Sequence, residues 1–207
     1  LFNTVWLALA AAALSTALGT AGAIGIFYSR RRAAKPLQAV SQIPVINAEI
    51  VTAISLALLF SAVMLYRTYF SLLVGHMVLC TPFVVLSVLP KLKQMDSNTY
   101  EAALDLGASP TQALFKVVLP QIFSGVVSGF MLSITLSLDD YIVTAFTKPP
   151  MFDTISTYVY NAVKNGTNNS TPALRALSAL IFVVMIAVLL VINLRARKPQ
   201  AEKGARK

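Results

Sequence analysis

Two acidic stretches hold the residues with the most chemical potential in this sequence. In TLSLDDYIVTAF (135–146), Asp139 and Asp140 stand side by side before Tyr141; in NAEIVTAISL (47–56), Glu49 follows Asn47 and Pro44. Each carboxylate lies within a run of apolar residues that holds no Lys or Arg to neutralise it. Carboxylates so placed suit either proton transfer between paired acids or electrostatic capture of a cation, to which Tyr141 would add a cation–π face. His76, alone among apolar neighbours, reads as a packed, hydrogen-bonded imidazole. With one cysteine, Cys80, and one histidine, the sequence offers neither a disulfide framework nor a metal-ligand cluster.

The elements that carry these residues follow from composition. Hydrophobic residues make up 57% of the chain and charged ones 12%, with a mean hydropathy of +0.71, against about 25% charged in soluble domains. Five apolar runs, at about 3–28, 37–60, 69–90, 120–146 and 172–194, reach the roughly 20 residues that a spanning helix needs. They lack the alternation of strands, so the expected fold is an all-α, polytopic helical bundle. Small residues at Gly19, Gly22, Gly25, Ser124, Gly125, Ser128 and Gly129 suit close helix packing. Tyr66, Tyr69 and Phe70 read as one interfacial belt, Phe27 and Tyr28 as the other.

Basic residues set the orientation. Arg30, Arg31, Arg32 and Lys35 follow the first run, Lys91, Lys93 and Lys116 the third, and a basic tail at 195–207 the fifth, leaving Arg67, Lys148, Lys164 and Arg175 for the opposite side. The first set is expected in the cytoplasm, with the C-terminus. That bias explains the net charge of +9 without nucleic acid, because no basic patch interleaved with aromatics accompanies it. Five spans with a cytoplasmic C-terminus put the N-terminus outside, so a sixth, preceding span is expected in the complete protein. The loop at 149–171 then faces outward, with Tyr158, Tyr160 and Lys164 on a surface helix that serves either as a contact for an external protein or as a simple solvated connector. Its Asn165 and Asn168 triplets match the glycosylation pattern, which means little in a bacterial membrane.

The cytoplasmic loop at 91–119 is unusually well marked. Asp96, Ser97 and Asn98 are candidate N-caps, with Asn98 and Glu101 spaced as a capping box. Gly107 suits a left-handed stop, and Ser109, Pro110 and Gln112 form a second start with proline at the first helical position. The expected product is a short helix, a glycine turn and a second short helix leading to Leu119-Pro120.

Glu101-Ala102-Ala103, Gly107 and Leu119-Pro120 resemble the EAA loop of the membrane subunits of binding-protein-dependent ABC importers, with Val117 where that family has isoleucine. AEIVTAISL, TPFVVLSVLPKLK and TLSLDDYIVTAF are similar to segments of the polyamine branch, the second permease subunit of spermidine/putrescine importers. The resemblance implies the type I importer permease fold in an inner membrane. Glu101, Ala102, Ala103, Gly107, Ser109, Pro110, Leu119 and Pro120 would form the coupling element against a cytoplasmic ATPase. It further implies a second, different permease subunit, two ATPase subunits that bind ATP and Mg²⁺, and an external solute-binding protein. No cofactor is expected in this chain, since no GxxxxGK[ST] loop occurs in it.

On that reading Glu49, Asp139, Asp140 and Tyr141 line a path for a small cation. Two blander readings stay open: Asp139 and Asp140 as an interfacial, water-wetted pair, and Glu49 as a neutral acid hydrogen-bonded to a neighbouring helix. A membrane enzyme built on Asp139 and Asp140 is disfavoured, because neighbours on a helix point about 100° apart, and HExxH and GxSxG are absent. A channel or secondary transporter would have no evident use for the capped helix pair. Another solute of the same importer superfamily remains an alternative cargo.

Overall fold

The computed structural model describes residues 2–96 and 98–164, with isolated positions at 172, 176, 179, 180 and 183. The fifth expected span and the basic tail therefore fall outside the described residues, as do Asn165 and Asn168. The chain divides into a unit over Leu1–Thr154 and another over Ile155–Lys207.

Three long helices build the first unit: α1 (Phe2–Tyr28), α4 (Tyr69–Gln94) and α7 (Leu119–Asp139), each packed against the other two. Each buries a stripe spaced by three or four residues, such as Ala8, Ala12, Ser15, Gly19 and Ala23 on α1, and Ile122, Gly125, Gly129, Ser133 and Ser137 on α7. That spacing places the stripe on one helical face. Small residues on it let the backbones approach, which matters in lipid, where close packing replaces the hydrophobic effect as the glue. Val84 of α4 sits in the closest approach: a Cβ at Gly19 would lie 2.6 Å from its Cβ, and one at Gly129 would lie 3.1 Å from its Cα. Gly25, also expected to pack closely, faces open space. Gly129→Leu should therefore overpack the α4–α7 contact, at about 1–3 kcal/mol or more. The thermal unfolding midpoint of the detergent-solubilised protein should fall, and an unchanged midpoint would contradict the packing.

The run at 37–60 is not one straight span. It forms α2 (Arg31–Ile46) and α3 (Glu49–Ala62), bent by 102° at the break. Pro44 cannot donate to the carbonyl of Val40 and its ring crowds that group. Three residues later Asn47 and Ala48 are extended, and the helix restarts at Glu49. Glu49 thus occupies a first helical turn at a break rather than the middle of a span. The run at 120–146 also divides, because Asp140 is extended (φ −63°, ψ 124°) and a separate short helix, α8 (Ile142–Thr147), follows. Among the described residues, three helices are long and apolar enough to cross a membrane, or four if the bent pair counts as one.

Between α4 and α7 lie α5 (Asn98–Asp105) and α6 (Pro110–Ala113). Asn98 is the first helical residue rather than the cap; the Asp96 carboxylate accepts its backbone N–H at 3.0 Å. Gly107 adopts φ +87°, and Ser109 and Gln112 form the reciprocal capping box with Pro110 at the helix start. The second helix is not a separate piece. From Pro110 it runs through a π-helical turn, Leu114–Val118, straight into α7. The wider turn accommodates Pro120, whose ring would crowd the carbonyl of Lys116 in an unbroken α-helix.

In the second unit, α9 (Ile155–Lys164) is amphipathic, with Tyr158 and Tyr160 exposed and Lys164 in its last turn. The surface helix expected in this loop is present over Ile155–Lys164.

Candidate functional site

Both chain breaks meet at one cavity of about 480 Å³. Glu49, Asp139, Asp140 and Tyr141 all line it, together with Asn47 and Thr52. Residues separated by 90 positions converge because α3 packs on α8, which brings the first turn of α3 beside the C-terminal end of α7. Val45, Leu79, Phe83 and Leu136 supply apolar wall. The C-terminal ends of α2 and α7 and the N-terminal turns of α3 and α8 also open here, so their opposite partial charges largely offset one another. The cation-attracting charge is that of the three carboxylates, and among the described residues no Lys or Arg lines the cavity.

The three acids are not equivalent. Glu49 and Asp139 are exposed, whereas the Asp140 side chain is 1% exposed. Asp140 Oδ1 accepts the backbone N–H of Val143 at 3.1 Å; Oδ2 accepts that of Thr144 at 2.8 Å and the Thr144 hydroxyl at 2.6 Å. Asp140 therefore caps α8, satisfying donors that a helix start leaves open. The water-wetted reading does not hold for it. A hint was present in the sequence, since aspartate just ahead of a helix with a hydroxyl residue four positions on is capping chemistry.

Behind this cap lies a polar cluster that the sequence reading reached only in part. His76, fully buried, is bonded at 3.0 Å through Nε2 to the Thr144 hydroxyl and at 2.8 Å through Nδ1 to the Ser137 hydroxyl, and its Nε2 lies 3.5 Å from Asp140 Oδ2. The expected packed, hydrogen-bonded histidine is what the geometry shows. Ser71 adds a bond to the carbonyl of Thr147 at 3.0 Å. The cluster ties α4, α7 and α8 together, and leaving one of its members unpaired would cost about 1–3 kcal/mol. Asp140→Ala should accordingly lower the amount of folded protein in the membrane, whereas Asp140→Asn, which keeps an acceptor oxygen, should retain more of it. Equal yields of the two would argue against the cap.

At the other end of the bundle, Glu101, Ala102, Gly107, Ser109 and Pro110 are exposed and Ala103 is half-buried. Leu106 is 89% exposed at the turn. Leu119, at the start of α7, packs partly buried against the core, and Pro120 beside it is exposed. Arg30, Arg32, Lys35 and Lys93 are also exposed.

Residues 4–197 match the family described as "Binding-protein-dependent transport system inner membrane component". The chain belongs to this family. This inner-membrane component is 34% identical over 196 residues to the spermidine/putrescine transport system permease protein PotC of Haemophilus influenzae, covering 95% of this chain and 75% of that protein. It is 31% identical over 182 residues to the putrescine transport system permease protein PotI of Escherichia coli K12, covering 84% and 64%. Its fold is that of a chain in the crystal structure of an amino acid ABC transporter with histidines, with a TM-score of 0.69 at 15% identity over 96% of this chain and 91% of that one.

Proposed function

We propose that this inner-membrane component is one permease half of an ATP-driven polyamine importer. The observation that carries the reading is the convergence of Glu49, Asp139 and Tyr141 on a cavity with apolar walls. Polyamines are ammonium groups separated by methylenes. The carboxylates would hold the charges, Tyr141 would offer its ring face, and Val45, Leu79, Phe83 and Leu136 would lie against the carbon chain. PotC and PotI, permease proteins of spermidine/putrescine and putrescine transport systems, point to the same substrate class. Asp140 contributes charge while its oxygens stay engaged with α8.

A second, different permease subunit would complete the path, and an external solute-binding protein would deliver the cargo. The α5 end, with the basic residues around it, would face the cytoplasm together with the C-terminus. There α5, Gly107 and the start of α6 would dock on one of two ATPase subunits, which hold ATP and Mg²⁺; this chain supplies no catalytic group. ATP-driven closure would favour the outward-facing arrangement through its contacts with this protrusion.

The test is uptake of radiolabelled putrescine and spermidine by cells that contain the other subunits, with and without this one. Uptake of either that depends on this chain supports the reading; indifference of both to its presence would remove it.

A further inference from the structure

The protruding α5 has no fully buried residue, yet one of its side chains reaches the core. Tyr100 packs, half-buried, against the apolar cluster in which α1, α4 and α7 meet, built from Ala23, Ile26, Val88, Leu92, Val118 and Ile122. Its ring lies 5.1 Å from that of Tyr28, the last residue of α1, with the planes at 47°. Phe27 supports Tyr28 edge-to-face at 5.0 Å. The rest of α5 packs on α6 and the π-helical turn that leads into α7. Tyr100 is thus the aromatic contact between α5 and the inner end of α1.

We propose that Tyr100 is the positioning residue through which a displacement of α5 is passed to α1, α4 and α7. This rests on the proposed docking of an ATPase on α5 and adds where the motion enters the bundle. The chemistry is ring packing: rigid aromatic area couples two helices only while both rings are present. The hydroxyl is not needed for it, so phenylalanine should serve and alanine should not.

The experiment uses the assembled importer in vesicles, with Tyr100→Ala, Tyr100→Phe and Tyr28→Ala each compared with wild type. Three readouts are taken: co-purified ATPase, ATP hydrolysis stimulated by loaded binding protein, and uptake. Tyr100→Ala and Tyr28→Ala should keep the ATPase bound yet lower uptake by about tenfold relative to ATP hydrolysed, since a ring pair is worth up to about that factor. Tyr100→Phe should restore coupling to within about twofold of wild type on the same grounds. Normal coupling in Tyr100→Ala would overturn the proposal. So would loss of the ATPase in Tyr100→Ala while Tyr28→Ala behaves as wild type, or a defect in Tyr100→Phe as deep as in Tyr100→Ala. Failure of the docking reading itself shows separately: a cysteine at Ala102 in the wild-type background would then give no cross-link to the ATPase.

Discussion

Glu49→Gln should lower polyamine uptake by about 10- to 100-fold at limiting substrate while leaving the protein in the membrane. The change keeps shape and removes charge. A charge-assisted contact to an ammonium group contributes roughly 1.5–3 kcal/mol, and each 1.4 kcal/mol is a factor of ten. Glu49 is the suitable target because its carboxylate lines the cavity and is exposed to it, while its loss from the first turn of α3 would cost the helix only about 0.3–1 kcal/mol. Asp139→Asn should behave similarly. Asp140→Asn is a poorer probe, since any loss of uptake would mix substrate charge with the capping of α8. The assay is initial uptake rate against putrescine and spermidine concentration, with membrane content measured by immunoblot. Unchanged rates in both Glu49→Gln and Asp139→Asn would end the pathway assignment.

The second large effect is expected at Gly107. Its φ of +87° lies where β-branched residues are genuine outliers. A Cβ there meets nothing within 4 Å, so the penalty of substitution is conformational rather than steric. Gly107→Ala should be partly tolerated, and Gly107→Val should force the turn between α5 and α6 into another shape at a cost of at least about 1–2 kcal/mol. Because the distortion is confined to the protrusion, the spans should still insert and the substrate cavity should stay intact. ATP hydrolysis should then run without matching uptake, or stop responding to loaded binding protein. Gly107→Val with normal uptake per ATP would show that the turn is not part of the coupling element.

The difference between what the sequence reveals and what it hides is one of range. The turn at Gly107 and the start at Ser109 are readable because their signals act within three or four residues: a positive φ that favours glycine, and the Ser109–Gln112 box around Pro110. Of the small residues marked for close packing, Gly19, Gly125 and Gly129 are buried whereas Gly22, Gly25 and Ser128 are exposed, because composition does not say which helical face meets a neighbour. The 102° break after Ile46 is different. Pro44 announces a bend, but its size depends on α3 packing against α8. Apolar composition alone reads through such a break, so two half-length helices look like one span. Asp140 illustrates the same limit, because as a run of letters it is the twin of Asp139. Only the fold separates a buried helix cap from an acid that opens on the cavity. The π-helical turn at Leu114–Val118 was hidden as well, since Pro120 could equally have ended a short helix there.

The central claim is that the exposed turn around Gly107 meets the ATPase. Disulfide cross-linking in the assembled importer tests it, using single cysteines at Ala102 and Leu106 on the protrusion and at Tyr158 on α9 as the comparison, all exposed positions. Native Cys80 is buried and would stay silent. Cross-links to the ATPase from Ala102 and Leu106, varying with bound nucleotide and missing from Tyr158, are the expected result. An importer whose ATPase co-purifies but links to neither Ala102 nor Leu106 would contradict it.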